Sequence, residues 1–393
     1  MKQVNKIILV VLLVTGSAGY SRTIESPYEL GSWQGFRQAA VSYTFDDGCS
    51  NQFDIAIPMF DEFDFKLTLF IVTNWSPNWK ALQNAASAGH EIASHTVTHP
   101  YLNGITIAQQ TTELKNSQDI INSHITGRKC VTLAYPYCVP GNRELTEQYY
   151  IAARHCQGYI EDATPKDFYQ ISSLICGNLG SVKTAADFSQ KFENPLTSKG
   201  WCVLLIHGID NDGGYSPLPS TTLKESLEYL NERKDKFWVS TFGNVVRYIK
   251  ERNTVSVTEL SNRDTSITLK VTDTLDDAIY NYPVTIRRPL PRNWSSAYVL
   301  QNSLAVNTHI VDVDSTKYVM FDVVPDGGNI ILSKNPYGDL TGNDVVDMND
   351  LSVFLNLWLV SDNNEISGVD LNGDCIVNFY EFAVLMENWL RLL

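Results

Sequence analysis

Between residues 39 and 252, short apolar runs alternate with longer amphipathic ones, and no hairpin signal separates them. Residues 41–45, 67–72, 91–94, 131–135 and 202–206 read as buried strands, and residues 53–63, 79–88, 107–125, 143–153 and 218–231 as helices. Strand–helix alternation with no hairpin signal implies strands that run mostly parallel, because a parallel pair needs a long crossover. The expected fold is therefore α/β, a mostly parallel sheet that is open or closed into a barrel.

The residues just past these strands carry chemistry. Thr44-Phe45-Asp46-Asp47-Gly48 places two carboxylates at the end of the first strand. Neighbouring strand residues point to opposite faces, so the two acids suit separate jobs, one as metal ligand and one as base. In Ser94-His95-Thr96-Val97-Thr98-His99-Pro100 the two histidines are four apart, a spacing that lets both imidazoles reach one ion. Two histidines and one carboxylate make a common open metal site. Tyr137 and His207 also follow predicted strands, at the end of a parallel barrel where chemistry occurs. Taken singly, Asp-Asp-Gly is a turn signal and His207 says little. The joint occurrence carries the reading. His90, His124, His155 and His309 read as ordinary core or surface histidines.

These four motifs, TFDDG, SHTVTHP, Ala134-Tyr135-Pro136-Tyr137 and Leu204-Leu205-Ile206-His207, resemble in order those of the NodB-type polysaccharide deacetylases, carbohydrate esterases that remove acetyl groups from sugars. The resemblance covers roughly residues 38–250. It implies an irregular (β/α) barrel and a divalent ion, zinc by expectation, on Asp47, His95 and His99. It also implies Asp46 as general base, His207 as general acid, the backbone N–H of Tyr137 as an oxyanion donor, and Leu204 as lining of the acetyl pocket. The implied substrate is an acetylated glycan, with acetylated xylan placed ahead of chitin-like or peptidoglycan N-acetyl sugars. A non-catalytic glycan-binding or assembly protein is the reading of another class. Two departures stand out. Ala134 occupies the place where many relatives carry an Arg that tethers the base. No Asp-Trp motif lies between Gly158 and Gly200 to orient His207, which leaves Glu161, Asp162 and Asp167 as candidates. A thiol nucleophile at Cys49 or Cys138 lacks a paired base.

The flanks read separately. Lys2 and Lys6, an apolar run over 7–14 and small residues at 16–19 fit a signal peptide over 1–19, too short to span a bilayer. The expected location is secreted, cell-surface or periplasmic, an oxidising setting for the seven cysteines. The catalytic domain is expected over 20–252 and, from period-two alternation, an antiparallel β-sandwich over 253–335. Its Trp294, Tyr298 and Tyr318 could stack on sugars, but core positions are the expectation.

Residues 336–393 contain a repeat of period 31, in which Asp339, Thr341, Asn343, Val345, Asp347 and Asp350 align with Asp370, Asn372, Asp374, Ile376, Asn378 and Glu381. Oxygen side chains at loop positions 1, 3, 5, 9 and 12, with a backbone carbonyl at 7, are the EF-hand arrangement for calcium. The loop glycine at position 6 is replaced by Asp344 and Cys375. The loop–helix pair resembles a type I dockerin, which implies a cohesin-like protein partner. Residues 338–393 hold ten acidic residues and one basic one, so much of the net charge of −14 belongs to these loops. That overall charge argues against nucleic acid or anionic lipid as partner.

Overall fold

The computed structural model describes residues 23–343, 345–361, 366, 369–370 and 375–389. The signal-peptide expectation over 1–19, and loop residues Asp344, Asn372 and Asp374, lie outside these described residues.

A short strand, β1 (Glu29–Leu30), comes first and belongs to a second layer described below. The parallel sheet is built from β2 (Ala39–Asp46), β3 (Thr68–Ile71), β4 (Glu91–Ser94), β5 (Thr132–Ala134), β6 (Ala152–Arg154), β7 (Leu174–Ile175), β8 (Trp201–Ile206) and β9 (Phe237–Val239). The strand order is β6-β5-β4-β3-β2-β8-β7, and β9 shares with β3 the second edge of β2. All the pairings are parallel. The two ends of the sheet meet through Ile171. Its N–H donates to the Ala153 carbonyl at 3.1 Å, and its carbonyl accepts from the His155 N–H at 2.7 Å. The sheet is therefore curled into an irregular barrel, as expected.

Helices α1 (Ile57–Glu62), α2 (Trp79–Ser87), α3 (Ile107–His124), α4 (Arg143–Tyr149), α5 (Ala185–Ser198) and α6 (Ser220–Asn231) cover the outside. They pack on the outward strand residues, among them Tyr43, Phe45, Leu69, Leu133, Leu204 and Ile206. The inward residues differ in size. Ala40, Ala93, Ala134 and Ala152 leave room that Phe70, Trp201 and Phe242 fill. Phe242 opens α7 (Phe242–Thr254), and its ring lies 5.8 Å from Phe70 and 5.1 Å from Trp201. The helix expected over 143–153 stops at Tyr149. Ala152-Ala153-Arg154 is a strand instead, because pairing with β5 overrides the helical preference of alanine.

Strands β10 (Ser256–Asn262), β11 (Ser266–Thr272), β12 (Val284–Pro289), β13 (Tyr298–Gln301), β14 (Leu304–Ala305), β15 (Thr308–Val313), β16 (Thr316–Val323) and β17 (Ile330–Ser333) form two antiparallel sheets. Their orders are β1-β12-β16-β15 and β10-β11-β17-β13-β14. Glu29–Leu30 therefore completes a sandwich sheet, although residues 20–252 were expected to belong to the barrel domain. Val245, Val246 and Ile249 of α7 join the barrel interior to Ile267, Leu269, Val284, Ile286 and Phe321 in one apolar cluster. Trp294 is buried with its indole N–H on the Asp264 carbonyl at 2.7 Å, while Tyr298 and Tyr318 are half-buried.

Two further helices, α8 (Met348–Asn356) and α9 (Phe379–Glu387), pack around Val346, Phe354, Ile366, Val377 and Leu385. Their N-termini are capped identically, by Asp347 with Asp350 and by Asn378 with Glu381, 31 residues apart. Among the described residues, no helix is long and apolar enough to cross a membrane.

Candidate active site

Parallel strands deliver their C-terminal ends to one face. Asp46 ends β2, His95 follows β4, Tyr137 follows β5, Arg154 ends β6 and His207 follows β8. Gln52 draws two of these segments together. Its buried side-chain amide donates to the Asp46 carbonyl at 2.6 Å and to the His207 carbonyl at 2.9 Å.

The segment between His95 and His99 is a loop rather than a helical turn, with Thr96 and His99 at φ of 69° and 61°. Glu113 of α3, nearly buried, holds it. One carboxylate oxygen accepts from the N–H groups of Val97 and Thr98 at 2.8 Å each, and the other from the Thr98 hydroxyl at 2.6 Å. The His95 Nδ1–H donates to the Ala134 carbonyl at 2.8 Å, which fixes the tautomer and leaves the Nε2 lone pair facing inward. The two Nε2 atoms of His95 and His99 lie 3.2 Å apart, and Asp47 Oδ1 is 3.7 and 3.8 Å from them.

The chemistry of this trio fits a cation. Donor atoms of Asp47, His95 and His99 lie within 4.8 Å of one another. Asp47 Oδ1 is buried with no hydrogen-bond partner among the described residues. Burial holds His95 near a pKa of about 3 and lowers His99, so both rings are neutral and can donate lone pairs. Burial and repulsion from Asp46 push the Asp47 carboxyl up to about 7, a penalty that a bound cation reverses. Two imidazoles and one carboxylate suit zinc or a similar divalent ion.

Asp46 sits beside the trio and is 2% exposed. Its Oδ2 accepts from Arg154 Nη2 at 2.5 Å, while His95 and His207 Nε2 stand 3.7 and 3.9 Å from the same oxygen. Burial raises the Asp46 pKa, but Arg154 and then the two imidazoles outweigh it and hold the carboxyl below the ordinary range. Arg154 is the residue that sequence reasoning missed. It is the register partner of Ala134 on the neighbouring strand. The cation therefore enters the site from one strand further along the sheet, and the alanine beside it adds little bulk. The guanidinium also lies over the Phe70 ring at 5.2 Å and bonds the Ser173 hydroxyl at 3.2 Å.

The Tyr137 backbone has φ of 55°, and the next residue, Cys138 at 59°, forms a disulfide with Cys156. That bridge ties the Tyr137 turn to the chain just past Arg154. His207 points Nε2 at both aspartates, and burial lowers its pKa. Its Nδ1 is buried with no partner among the described residues. None of the three acids considered for orienting it is bonded to it. Glu161 accepts from the Ser172 N–H and Asp167 pairs with Arg143, and nothing in the structure connects Asp162 to His207. Leu204 is fully buried on the helix-facing side with Tyr43 and Phe45, so it lines the outer core and not the site. Side chains alternate along β8, and the inward position is Leu205. Burial pushes the Cys49 thiol up to about 12, a poor nucleophile, and Cys138 is oxidised.

In the C-terminal loops, Asp350 oxygens accept from the Thr341 N–H and hydroxyl at 2.9 Å each and from the Asp347 N–H at 2.8 Å. Asp339 Oδ1 accepts from the N–H groups of Gly342 and Asn343 at 2.7 and 3.0 Å. The loop carboxylates thus fold onto their own backbone. Asp370 follows the same pattern, accepting from the Cys375 N–H at 3.0 Å.

Residues 34–150 match the family model described as polysaccharide deacetylase. A gellan lyase from a Bacillus species is 30% identical over 328 residues, which is 77% of this chain and 13% of that protein. YxkH of Bacillus subtilis (strain 168) is 27% identical over 104 residues, 25% of this chain and 37% of its own length. The chain thus spans well under half the length of these curated relatives. Among solved structures, the Xyl-CE4 domain of a multidomain xylanase from the hindgut metagenome of Trinervitermes trinervoides is 19% identical. That match covers 53% of this chain and 89% of the other, with a TM-score of 0.38. A family 4 carbohydrate esterase from Bacillus anthracis is 16% identical, over 56% and 86% of the two chains, at a TM-score of 0.38.

Proposed function

We propose that this chain is a metal-dependent deacetylase that hydrolyses acetyl groups from an acetylated glycan. The observation that carries the reading is the convergence of Asp47, His95 and His99 with a separate, Arg-tethered Asp46 and with His207 at one end of the barrel. In this reading Asp47, His95 and His99 hold the ion, with zinc the favoured occupant. A divalent ion there supplies Lewis acidity, lowering the pKa of water and polarising the acetyl carbonyl. Asp46 takes the proton of the attacking water. Arg154 keeps that carboxylate ionised and aimed. The Tyr137 N–H donates to the oxygen that becomes negative. His207 Nε2 gives a proton to the departing alcohol or amine, and its neutral resting state requires that it first receive one, from Asp46 across 3.9 Å.

Acetylated xylan remains the favoured substrate, with N-acetyl sugar polymers as the alternative. A relative named gellan lyase adds gellan to the panel. The same proposal covers calcium in the two C-terminal loops, a cohesin-like partner for α8 and α9, and export through residues 1–19. The test is acetate release from acetylated xylan, chitin oligomers, peptidoglycan and gellan, with zinc, with a chelator, and with Asp46→Asn. Release that needs metal and disappears in Asp46→Asn, with metal still bound, is expected. Zinc binding without release from any polymer would instead favour a non-catalytic glycan-binding protein.

A further inference from the structure

Although the chain carries 44 acidic residues against 30 basic ones, three cations share a single cleft. The cleft measures about 830 Å³ and lies between the end of α3, the loop leading into β5, the first turns of α7 and the sandwich segment before β12. Arg128 and Lys129 stand on the loop and Arg247 on α7. The loop delivers the N-terminal end of β5. The cleft therefore opens where strands begin, at the opposite end of the barrel from Asp46 and His207.

Its walls are fastened. The Thr126 N–H donates to Gln83 Oε1 and the Cys130 N–H to Asn122 Oδ1, each at 2.8 Å, so the loop bearing Arg128 and Lys129 is pinned at both ends. The second bond uses the Asn122 oxygen and leaves its NH₂ to donate. Across the cleft, Arg247 Nε donates to the Ile279 carbonyl at 2.8 Å, which fixes one edge of the guanidinium.

Counter-charge is scarce there. Among the described residues, none of the three cations forms a salt bridge. Glu91 and Glu251 attract Arg247 from further off. Glu91, however, already accepts from the Gly243 N–H at 2.7 Å and from the hydroxyls of Thr68 and Thr132 at 2.9 and 2.6 Å. Glu251, raised by burial to about 8, is mostly protonated at pH 7. Burial, aided by repulsion from Arg128, lowers the Arg247 pKa. An anion between the two guanidinium groups reverses that repulsion.

The lining also says which anion. Guanidinium forks match a carboxylate two N–H groups at a time. The Asn122 and Asn281 amides and the Thr126 hydroxyl beside them suit sugar hydroxyls. A chain of net charge −14 repels a continuous polyanion beyond the cleft, which favours an isolated carboxylate on an otherwise neutral polymer.

We infer that this cleft is a second polysaccharide site, which takes one uronate side group of a mostly neutral glycan between Arg128 and Arg247. It anchors the protein to its polymer without aligning the group that reacts, so the inference stands apart from the deacetylase reading and is measured without turnover. The test uses the full chain and its Arg128→Gln, Arg128→Lys and Arg247→Gln variants, with thermal melts to confirm folding. Arg128 is exposed, so its substitution spares the core. Titration calorimetry is run with a neutral xylo-oligomer bearing one glucuronate, with its carboxyl-reduced form, with methyl glucuronide and with inorganic phosphate. The glucuronate oligomer should bind, and more weakly as salt rises. Its affinity should fall by about 10–100-fold in each glutamine variant, the order expected when a charged hydrogen-bonding partner is lost. Arg128→Lys should recover part of the loss, and carboxyl reduction should match the loss in wild type. Failure of both uronate probes to bind, affinity unchanged in the two glutamine variants, equal binding of the carboxyl-reduced oligomer, or tighter binding of phosphate would overturn the site.

Discussion

Replacing Arg154 with Met tests the least expected part of the site. Asp46 is 2% exposed, and its Oδ1 already lacks a partner among the described residues. The substitution removes the one formal cation bonded to Oδ2. Stranding one charge of a buried pair costs about 3–5 kcal/mol, which should appear as a lower urea midpoint at unchanged slope. The carboxyl can relieve part of that cost by taking up a proton, since each pKa unit of rise is worth about 1.4 kcal/mol. The sign follows from the depressed native pKa of Asp46. Wild-type stability from this group is present above the unfolded carboxylate pKa and is lost as pH falls through the native one. In Arg154→Met the acidic limb of the activity profile moves to higher pH. A base that is mostly protonated at pH 7 should cost roughly 10²–10⁴ in kcat. Acetate release from pH 5 to 9, with zinc content measured on the same samples, reads both effects. Arg154→Lys should fall between the two, because it keeps the charge without the guanidinium fork. If Arg154→Met retains kcat within about threefold of wild type at pH 7 with metal bound, Arg154 does not tune the base, and the account of Ala134 fails with it.

Glu113→Ala removes three hydrogen bonds from the His95–His99 loop and should weaken zinc binding by about 10–100-fold, measured by competition with a chromogenic chelator. Glu251 of α7 is buried with no partner for Oε2 among the described residues, and burial, then the nearby Asp273, raise its pKa from 4.5 to about 8. Between those pH values the native state keeps a proton that the unfolded chain has lost, so stability should fall by about 1.4 kcal/mol per pH unit on raising the pH. Denaturant melts of Glu251→Gln should lack that fall. Calcium removal should lower the melting temperature of the α8–α9 unit, followed by Trp358 and Trp389 fluorescence. An unchanged melt would argue against cation loops.

Five of the parallel strands and the sandwich were legible because hydrophobic period and turn chemistry are local. What escaped depended on partners far along the chain. Ala152-Ala153-Arg154 has no β-branched residue, and only its pairing with Thr132-Leu133-Ala134 makes it a strand. The base tether therefore could not be placed, even though the alanine at 134 showed that one was missing from its usual position. The expectation that Leu204 lines the pocket is one residue out of phase. The alternation Trp201, Val203, Leu205 inward and Cys202, Leu204, Ile206 outward becomes visible once Trp201 bonds Ser42 inside the barrel, at 3.0 Å. Helix α7 carries a local signal of its own, since Phe242, Val245, Val246 and Ile249 recur at i, i+3, i+4 and i+7.

Because Glu29–Leu30 pairs with Ile286–Arg287, and the Arg287 guanidinium grips Glu29 across 258 positions, the barrel is an insertion within the sandwich. Tension applied between the two ends of the described chain meets the β1–β12 bonds and the Ile24–Val257 bridge first, and the barrel strands lie slack behind them. Under such a pull the segments that carry Asp46 and Arg154 stay unloaded until that outer clasp has sheared.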